Sequence, residues 1–200
     1  EKEVNDSIKP LEVLPTFLGE QKQLPPMYSA IKIQGQKLYD LARKGKTIHR
    51  EERNINVYQL SLEEEVTYNN RQAKFKIRTL VSKGTYIRTL CEDIGKVLGY
   101  PACMASLVRT KSGIFSLKNA YTLEQVRNGN YQVLDMNECL VDIPEQKMTE
   151  ELYNKVKYGQ KLSFDAIEDQ IDLVKLTYQG KLVAIYKKQE QEYKVERVWN

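Results

Sequence analysis

Two runs of alternating apolar and polar residues, Arg53–Tyr68 and Ala73–Val81, flank the turn-forming Asn69-Asn70-Arg71. Alternation sustained over that length suits a pleated strand with one half-buried face. With asparagines between them the two runs read as a long antiparallel hairpin. Upstream, Tyr28–Ile33 reads as a strand opened by Pro25-Pro26. Gly35 turns it into a short helix, Gln36–Lys44, which Gly45 stops. Downstream, Leu90, Cys91, Ile94, Val97 and Leu98 fall at helical spacing, with Gly99 closing the helix before Pro101. An extended run over Ala102–Leu117 follows, then a helix opened by Thr122 with Glu124 and Gln125 in its first turn. This order predicts an α+β fold, a mainly antiparallel sheet flanked by helices.

The pattern changes near Ile143-Pro144. A short amphipathic helix, Thr149–Tyr158, closes at Gly159, and three alternating runs follow: Asp172–Tyr178, Leu182–Lys187 and Tyr193–Val198. Gln179-Gly180 joins the first two as a hairpin. The expected division is therefore 1–143 and 144–200, the second a small β-rich domain.

Composition narrows the chemistry. No apolar run approaches the roughly 18–20 residues of a membrane helix. Cys91, Cys103 and Cys139 are odd in number and form no C-x-x-C pair, which suits three buried or half-buried thiols in a reducing cytoplasm better than a disulfide or zinc framework. His49, the only histidine, lies in a polar stretch and reads as a solvated loop residue, so metal chemistry and a Ser/His triad lack support. Residues 1–118 hold 20 Lys and Arg against 13 Asp and Glu, whereas residues 119–200 hold 11 against 14. A basic larger part suits a polyanionic partner; a solvated surface of mixed sign is the other reading.

Three strings carry the candidate chemistry. In Gln23-Leu24-Pro25-Pro26-Met27-Tyr28-Ser29-Ala30-Ile31-Lys32, the prolines stiffen the backbone and alternation puts Tyr28, Ala30 and Lys32 on one face. A ring and an ammonium there can stack on a base and hold a phosphate, or simply cover a core edge with a snorkelling lysine. In Ser82-Lys83-Gly84-Thr85-Tyr86-Ile87-Arg88-Thr89-Leu90-Cys91-Glu92, Thr89-x-x-Glu92 matches a capping box. That match starts the helix just after Arg88 and leaves Tyr86 and Arg88 on a strand end with Ile87 turned inward. An arginine beside a helix N-terminus requires an anion, either a phosphate or a carboxylate such as Glu92 or Asp93. Lys83-Gly84 lets the backbone approach a ligand closely. In the third string, Ala105–Phe115, Leu107 is apolar with Arg109 and Lys111 close by; core packing accounts for it equally well.

Taken together and in this order, the strings QLPPMYSAIK, GQKLYDLARKG, SKGTYIRTLCEDIGKVLG and LVRTKSGIF resemble the TruB-type tRNA pseudouridine-55 synthases. The resemblance is close over residues 17–118 and looser to the end, where 144–200 is similar to the PUA-like RNA-binding domain of that family. It implies a tRNA-modifying isomerase that flips a T-loop uridine into a pocket and needs no metal, nucleotide or redox cofactor. It also implies a tRNA partner engaged through the T-arm, no membrane association, a monomeric full-length protein and a cytoplasmic location. Tyr28 then matches the tyrosine that stacks on the flipped base and Tyr86 a second active-site tyrosine. Arg88 matches the arginine paired with the catalytic aspartate, and Leu107 the residue closing over the base. Lys32, Lys83, Arg109 and Lys111 are the expected RNA contacts. Val108 departs from the pattern, which often has arginine there.

The family's nucleophile is an aspartate in a G-x-L-D-x-x-A-x-G string upstream of the Pro-Pro-Tyr motif. Asp6 is the only aspartate upstream of Tyr28 and lacks that context, and Asp142 in Leu140-Val141-Asp142-Ile143-Pro144 lies far downstream. The chain opens on Glu1, where the second third of such an enzyme would begin. The expectation is that the catalytic aspartate lies outside these residues and that the chain alone is inactive. A non-catalytic tRNA-binding fragment is the alternative.

Overall fold

In the computed structural model, which describes Val4, residues 8–33 and residues 35–199, the two alternating runs pair as the sequence predicts. The chain divides into two compact units, residues 1–108 and 109–200.

The first unit runs through α1 (Pro10–Val13), a 3₁₀ turn (Leu14–Phe17), β1 (Gly19–Gln23), β2 (Lys32–Ile33), β3 (Gln36–Lys37) and α2 (Leu38–Arg43). It continues through β4 (Arg53–Asn69), β5 (Gln72–Val81) and α3 (Ile87–Val97). β4 and β5 pair antiparallel from Val57↔Val81 to Asn69↔Gln72. The hairpin closes on two residues, Asn70 and Arg71, whose φ values of 47° and 65° are the left-handed pair a tight hairpin turn requires. β1 pairs with the other edge of β4, from Gly19↔Val57 to Gln23↔Arg53.

One face of this sheet takes α3. Leu90 and Ile94, each 2% exposed, pack with Leu14, and Leu60, Leu62, Phe75 and Ile77 of the hairpin close around them with Val13, Phe17 and Leu98. The helical spacing of Leu90, Ile94 and Leu98 is what aims one stripe at the sheet. Val97, counted on that stripe from the sequence, is instead 58% exposed. Cys91 and Cys139 are half-buried as expected, and burial pushes the Cys91 thiol up from the ordinary cysteine value. Cys103 is exposed, against expectation, because the segment 101–110 around it forms neither helix nor strand.

Three local expectations are overturned. Residues 28–33 are not a continuous strand: only Lys32–Ile33 pairs, with Gln36–Lys37. The Ser29 and Ile31 carbonyls accept from the Tyr39 and Leu38 N–H groups at the start of α2, so the backbone bends over that helix end. Alternation survives in exposure, with Tyr28, Ala30 and Lys32 outward and Ser29 buried. The expected helix 36–44 accordingly shortens to Leu38–Arg43. The extended run 102–117 yields a two-residue pairing, β6 (Lys111–Ser112) with β7 (Phe115–Ser116), turned by Gly113 at φ 56°.

The second unit continues with α4 (Leu123–Arg127), opened by Thr122 as the sequence suggests, where a Thr122–Gln125 capping box forms, and α5 (Met136–Cys139). β8 (Glu145–Lys147), α6 (Glu150–Val156), β9 (Leu173–Tyr178), β10 (Lys181–Gln189) and β11 (Glu192–Val198) complete it. The sheet order is β11-β10-β9-β8, with β8 parallel to β9 and the others antiparallel. The helix expected over Thr149–Tyr158 spans Glu150–Val156, with Thr149 as its N-cap. Tyr186 and Tyr193 are fully buried at the centre of the core, and their hydroxyls donate to the Gln160 and Ile171 carbonyls, 2.7 Å each.

Gly95 sits where α3 meets the returning chain. A Cβ there would stand 2.3 Å from Ala102 Cβ and 2.8 Å from the Tyr100 carbonyl oxygen. Ala favours helix, yet the clash outweighs the propensity gain. Gly95→Ala is expected to destabilise the first unit by about 1–3 kcal/mol, read as a lowered Tm; an unchanged or raised Tm would refute the packing. Alkylation followed by peptide mass spectrometry should modify Cys103 first and Cys91 much later. Equal rates would show that the Cys91 thiol is not screened by α3 packing.

Candidate functional site

The second motif string places its residues differently from the sequence expectation. α3 starts at Ile87, and its N-cap is Tyr86, in extended conformation with φ −96° and ψ 108°. Thr89 is buried within the first turn at 7% exposure and caps nothing, so the Thr89-x-x-Glu92 box does not form. Tyr86 therefore stands at the helix entrance and Arg88 in its first turn, not together on a strand end. Ile87 is half-buried.

What holds the helix entrance is Gln23, the last residue of β1. Its side chain is 3% exposed, its Oε1 accepts from the Tyr86 backbone N–H at 2.7 Å, and its Nε2 donates to the Tyr86 carbonyl at 3.1 Å. A buried primary amide is tolerated when both its ends find partners, and one residue's main chain supplies both. The Tyr86 carbonyl also accepts from Leu90 N–H, the first bond of the helix. Gln23 thus supplies from 63 residues away the contact to the N-cap N–H that a capping box makes locally.

A second tie runs the other way. Arg88 Nη2 donates to the Tyr28 carbonyl at 2.7 Å. The two strings are joined twice, and the intervening Pro25-Pro26 segment is held by Arg50, whose Nη1 donates to the Pro25 carbonyl at 2.7 Å. Beside Tyr86, Ser82 accepts from Asn56 N–H at 2.8 Å and Gly84 turns at φ 90°, so Lys83-Gly84 forms an exposed corner.

Arg88 does not pair with either local carboxylate. Asp93 is bound to Lys96 at 2.7 Å, and among the described residues Arg88 has no ion pair, only the Tyr28 carbonyl. Its guanidinium is exposed, with most of its N–H groups open to a ligand. Tyr28 is 58% exposed and Tyr86 half-buried. The structure thus brings Tyr28, Tyr86 and Arg88 to one place. Leu107 is 55% exposed in the segment 101–110, which forms neither helix nor strand, and it joins no core cluster among the described residues. Lys32, Lys83, Arg109 and Lys111 are all exposed and in no ion pair among the described residues. Lys76 and Arg78, by contrast, are engaged by Glu63 and Glu64 across the hairpin, and Arg78 holds the Glu63 carboxyl below its usual range.

His49 is exposed outside any helix or strand, as a solvated residue should be. Asp142 is exposed in a turn, and Asp6 lies outside the described residues. Sequence reasoning missed Gln23 and Arg50. Gln23 opens the first string, but a glutamine that faces inward is recognisable only once β1 is registered against β4.

The chain matches two family models: TruB family pseudouridylate synthase (N terminal domain) over residues 3–87, and tRNA pseudouridylate synthase B C-terminal domain over 88–142. It is 40% identical over 182 residues to tRNA pseudouridine synthase B of Halalkalibacterium halodurans, covering 88% of this chain and 60% of that protein. It is 35% identical over 210 residues to the Staphylococcus aureus protein of the same name, covering 98% and 68%. The chain therefore spans about 60% of the length of the first of these relatives. Among solved structures, an H/ACA ribonucleoprotein bound to a substrate RNA containing 2′-deoxyuridine aligns with TM-score 0.65 at 21% identity, covering 100% of this chain and 62% of that one. An archaeal box H/ACA Nop10–Cbf5 complex aligns at 0.64 and 22%, covering 98% and 62%. At those identities the likeness speaks to fold, and it agrees with the α+β reading.

Proposed function

Because the chain belongs to the TruB family of pseudouridine synthases, we propose that it is the larger part of a tRNA pseudouridine synthase that isomerises a T-loop uridine, position 55. The observation that carries the reading is the double tie between the strings of Tyr28 and Tyr86, with an arginine in the tie whose charge has no partner among the described residues. Moving the glycosidic bond from nitrogen to carbon requires access to both ring and sugar. The uridine must leave its stack, at a cost of a few kcal/mol. The exposed Tyr28 ring offers a stacking face to replace the one lost, Tyr86 lines the same place, and Leu107 closes over the base. The rearrangement keeps every atom of the nucleoside and changes no oxidation level, so the reading requires no metal, nucleotide or redox cofactor.

The anion for Arg88 is, on this reading, the nucleophilic aspartate of the family string, contributed from outside residues 1–200. A charge-assisted bond to Arg88 would hold that carboxylate ionised and aimed at the sugar. Lys32, Lys83, Arg109 and Lys111 supply phosphate contacts to the T-arm. The core of the second unit, drawn from Met148 to Tyr193, supports reading residues 144–200 as a PUA-like RNA-binding domain. A monomeric cytoplasmic enzyme completes the reading.

The longer protein carrying the aspartate string should convert T-arm RNA, and residues 1–200 alone should not. In the longer protein, Arg88→Ala should lower kcat by about 10²–10³, read by quantifying pseudouridine in digested RNA. Turnover by residues 1–200 alone would sink the assignment of the nucleophile. Lys83→Ala and Lys111→Ala should each weaken tRNA binding and reduce the slope of log Kd against log salt by about one. A slope equal to wild type would remove that residue from the interface.

A further inference from the structure

We propose that Gln23 is a positioning residue for the isomerisation: its buried amide sets where Tyr86 stands relative to Tyr28. This rests on the function proposed above.

β1 ends on an oddity. Its inward positions end on Gln23, at 3% exposure, where a leucine or valine would pack without an amide to satisfy. Gln23 gives the sheet nothing through that amide, because both of its hydrogen bonds go to the main chain of Tyr86. The amide therefore acts on one thing, the backbone of a site tyrosine.

Connectivity gives that action its effect. From Gln23 the chain passes through the proline-stiffened segment to Tyr28, whose carbonyl takes Arg88 Nη2. Arg88 leads back two residues to Tyr86, and Tyr86 is bonded to Gln23. The circuit is closed, and Arg50 stiffens its free side at the Pro25 carbonyl. With both ties in place the two tyrosines have a fixed separation. Without the Gln23 amide, Tyr86 is held only through the first turn of α3, whose entrance N–H then lacks its acceptor. The apolar packing of α3 is untouched, so the expected loss is of alignment and not of fold. Misplacement by about 1 Å is worth up to about 10²-fold in rate.

The test uses the longer, aspartate-bearing protein with T-arm RNA. Gln23→Leu, close in volume and unable to bond, should lower the single-turnover rate about 10- to 100-fold while leaving RNA Kd near wild type and lowering Tm only by the loss of one backbone partner. Gln23→Glu adds a readout that packing alone does not move. As a carboxylate it presents only acceptors, one of them to the Tyr86 carbonyl. Once protonated it regains a donor, so its rate relative to wild type should recover as pH falls, and that of Gln23→Leu should not. A Gln23→Leu rate equal to wild type overturns the proposal, as does a parallel fall of rate, affinity and Tm. Where Gln23→Leu does not fold, a Gln23→Glu pH profile parallel to wild type overturns it. If the wild-type protein forms no pseudouridine, the function reading falls and takes this inference with it; an active wild type matched by its Gln23 variants removes this inference alone.

Discussion

α3 has one apolar stripe, and the β4–β5 hairpin presents one apolar face to receive it. Leu90 and Ile94 are each 2% exposed between hairpin residues and Leu14, and burying side chains of that kind stabilises by about 1.5–3 kcal/mol each. This packing fixes the axis and rotation of the helix. Once they are fixed, the position of its N-terminus is fixed too, and Tyr86 and Arg88 are carried wherever that end lies. Gly95 permits the next segment to return against the helix at a distance no side chain would allow. The candidate site is therefore a by-product of core packing, corrected at one point by a hydrogen-bonding side chain.

That correction explains which features were legible in the sequence. The hairpin could be read because its period of two persists over both strands and its turn residues are specific. Three strands of the second unit's sheet could be read from their alternation, with Gln179 and Gly180 both at positive φ in the expected turn, whereas the short parallel edge strand β8 could not. Local helix signals held where they act locally, as at Thr122 and Thr149. They failed at Thr89, where the capping-box pattern is present but the threonine is buried inside the helix and a glutamine from a distant strand performs the task. The reading of Tyr28–Ile33 failed for a related reason. Alternation describes which side chains face outward, and that part held, but it does not say whether the backbone finds a neighbouring strand or, as here, the start of α2.

Three of the four candidate catalytic residues that the motifs single out, Tyr28, Tyr86 and Arg88, come together, but what joins them is not visible in the motifs. Tyr28 lies far in sequence from Tyr86 and Arg88, and their meeting depends on two contacts, each between a side chain and a backbone. Such bonds leave little trace in composition: the backbone partner is an N–H or carbonyl of the kind nearly every residue carries, and only the side chain is encoded. Arg50 holding the Pro25 carbonyl is a third instance. A segment with two prolines makes few main-chain bonds of its own, and side chains from elsewhere must supply its ties.

Arg88 shows how electrostatics separates two explanations of one residue. A cation in the first turn of a helix opposes the macrodipole, at a cost of about 0.3–1 kcal/mol. A structural ion pair would offset that cost, but Asp93 is engaged by Lys96 and no described carboxylate reaches the guanidinium. The Tyr28 carbonyl satisfies one N–H and adds no opposing charge. The remaining donors face outward at the same helix end, whose own N–H groups also favour an anion. On the proposed reading the anion is the catalytic carboxylate, and the unfavourable placement becomes intelligible. An arginine stabilised in advance by Glu92 or Asp93 would have less to offer an incoming carboxylate, whereas one held in place by a neutral carbonyl keeps its charge available.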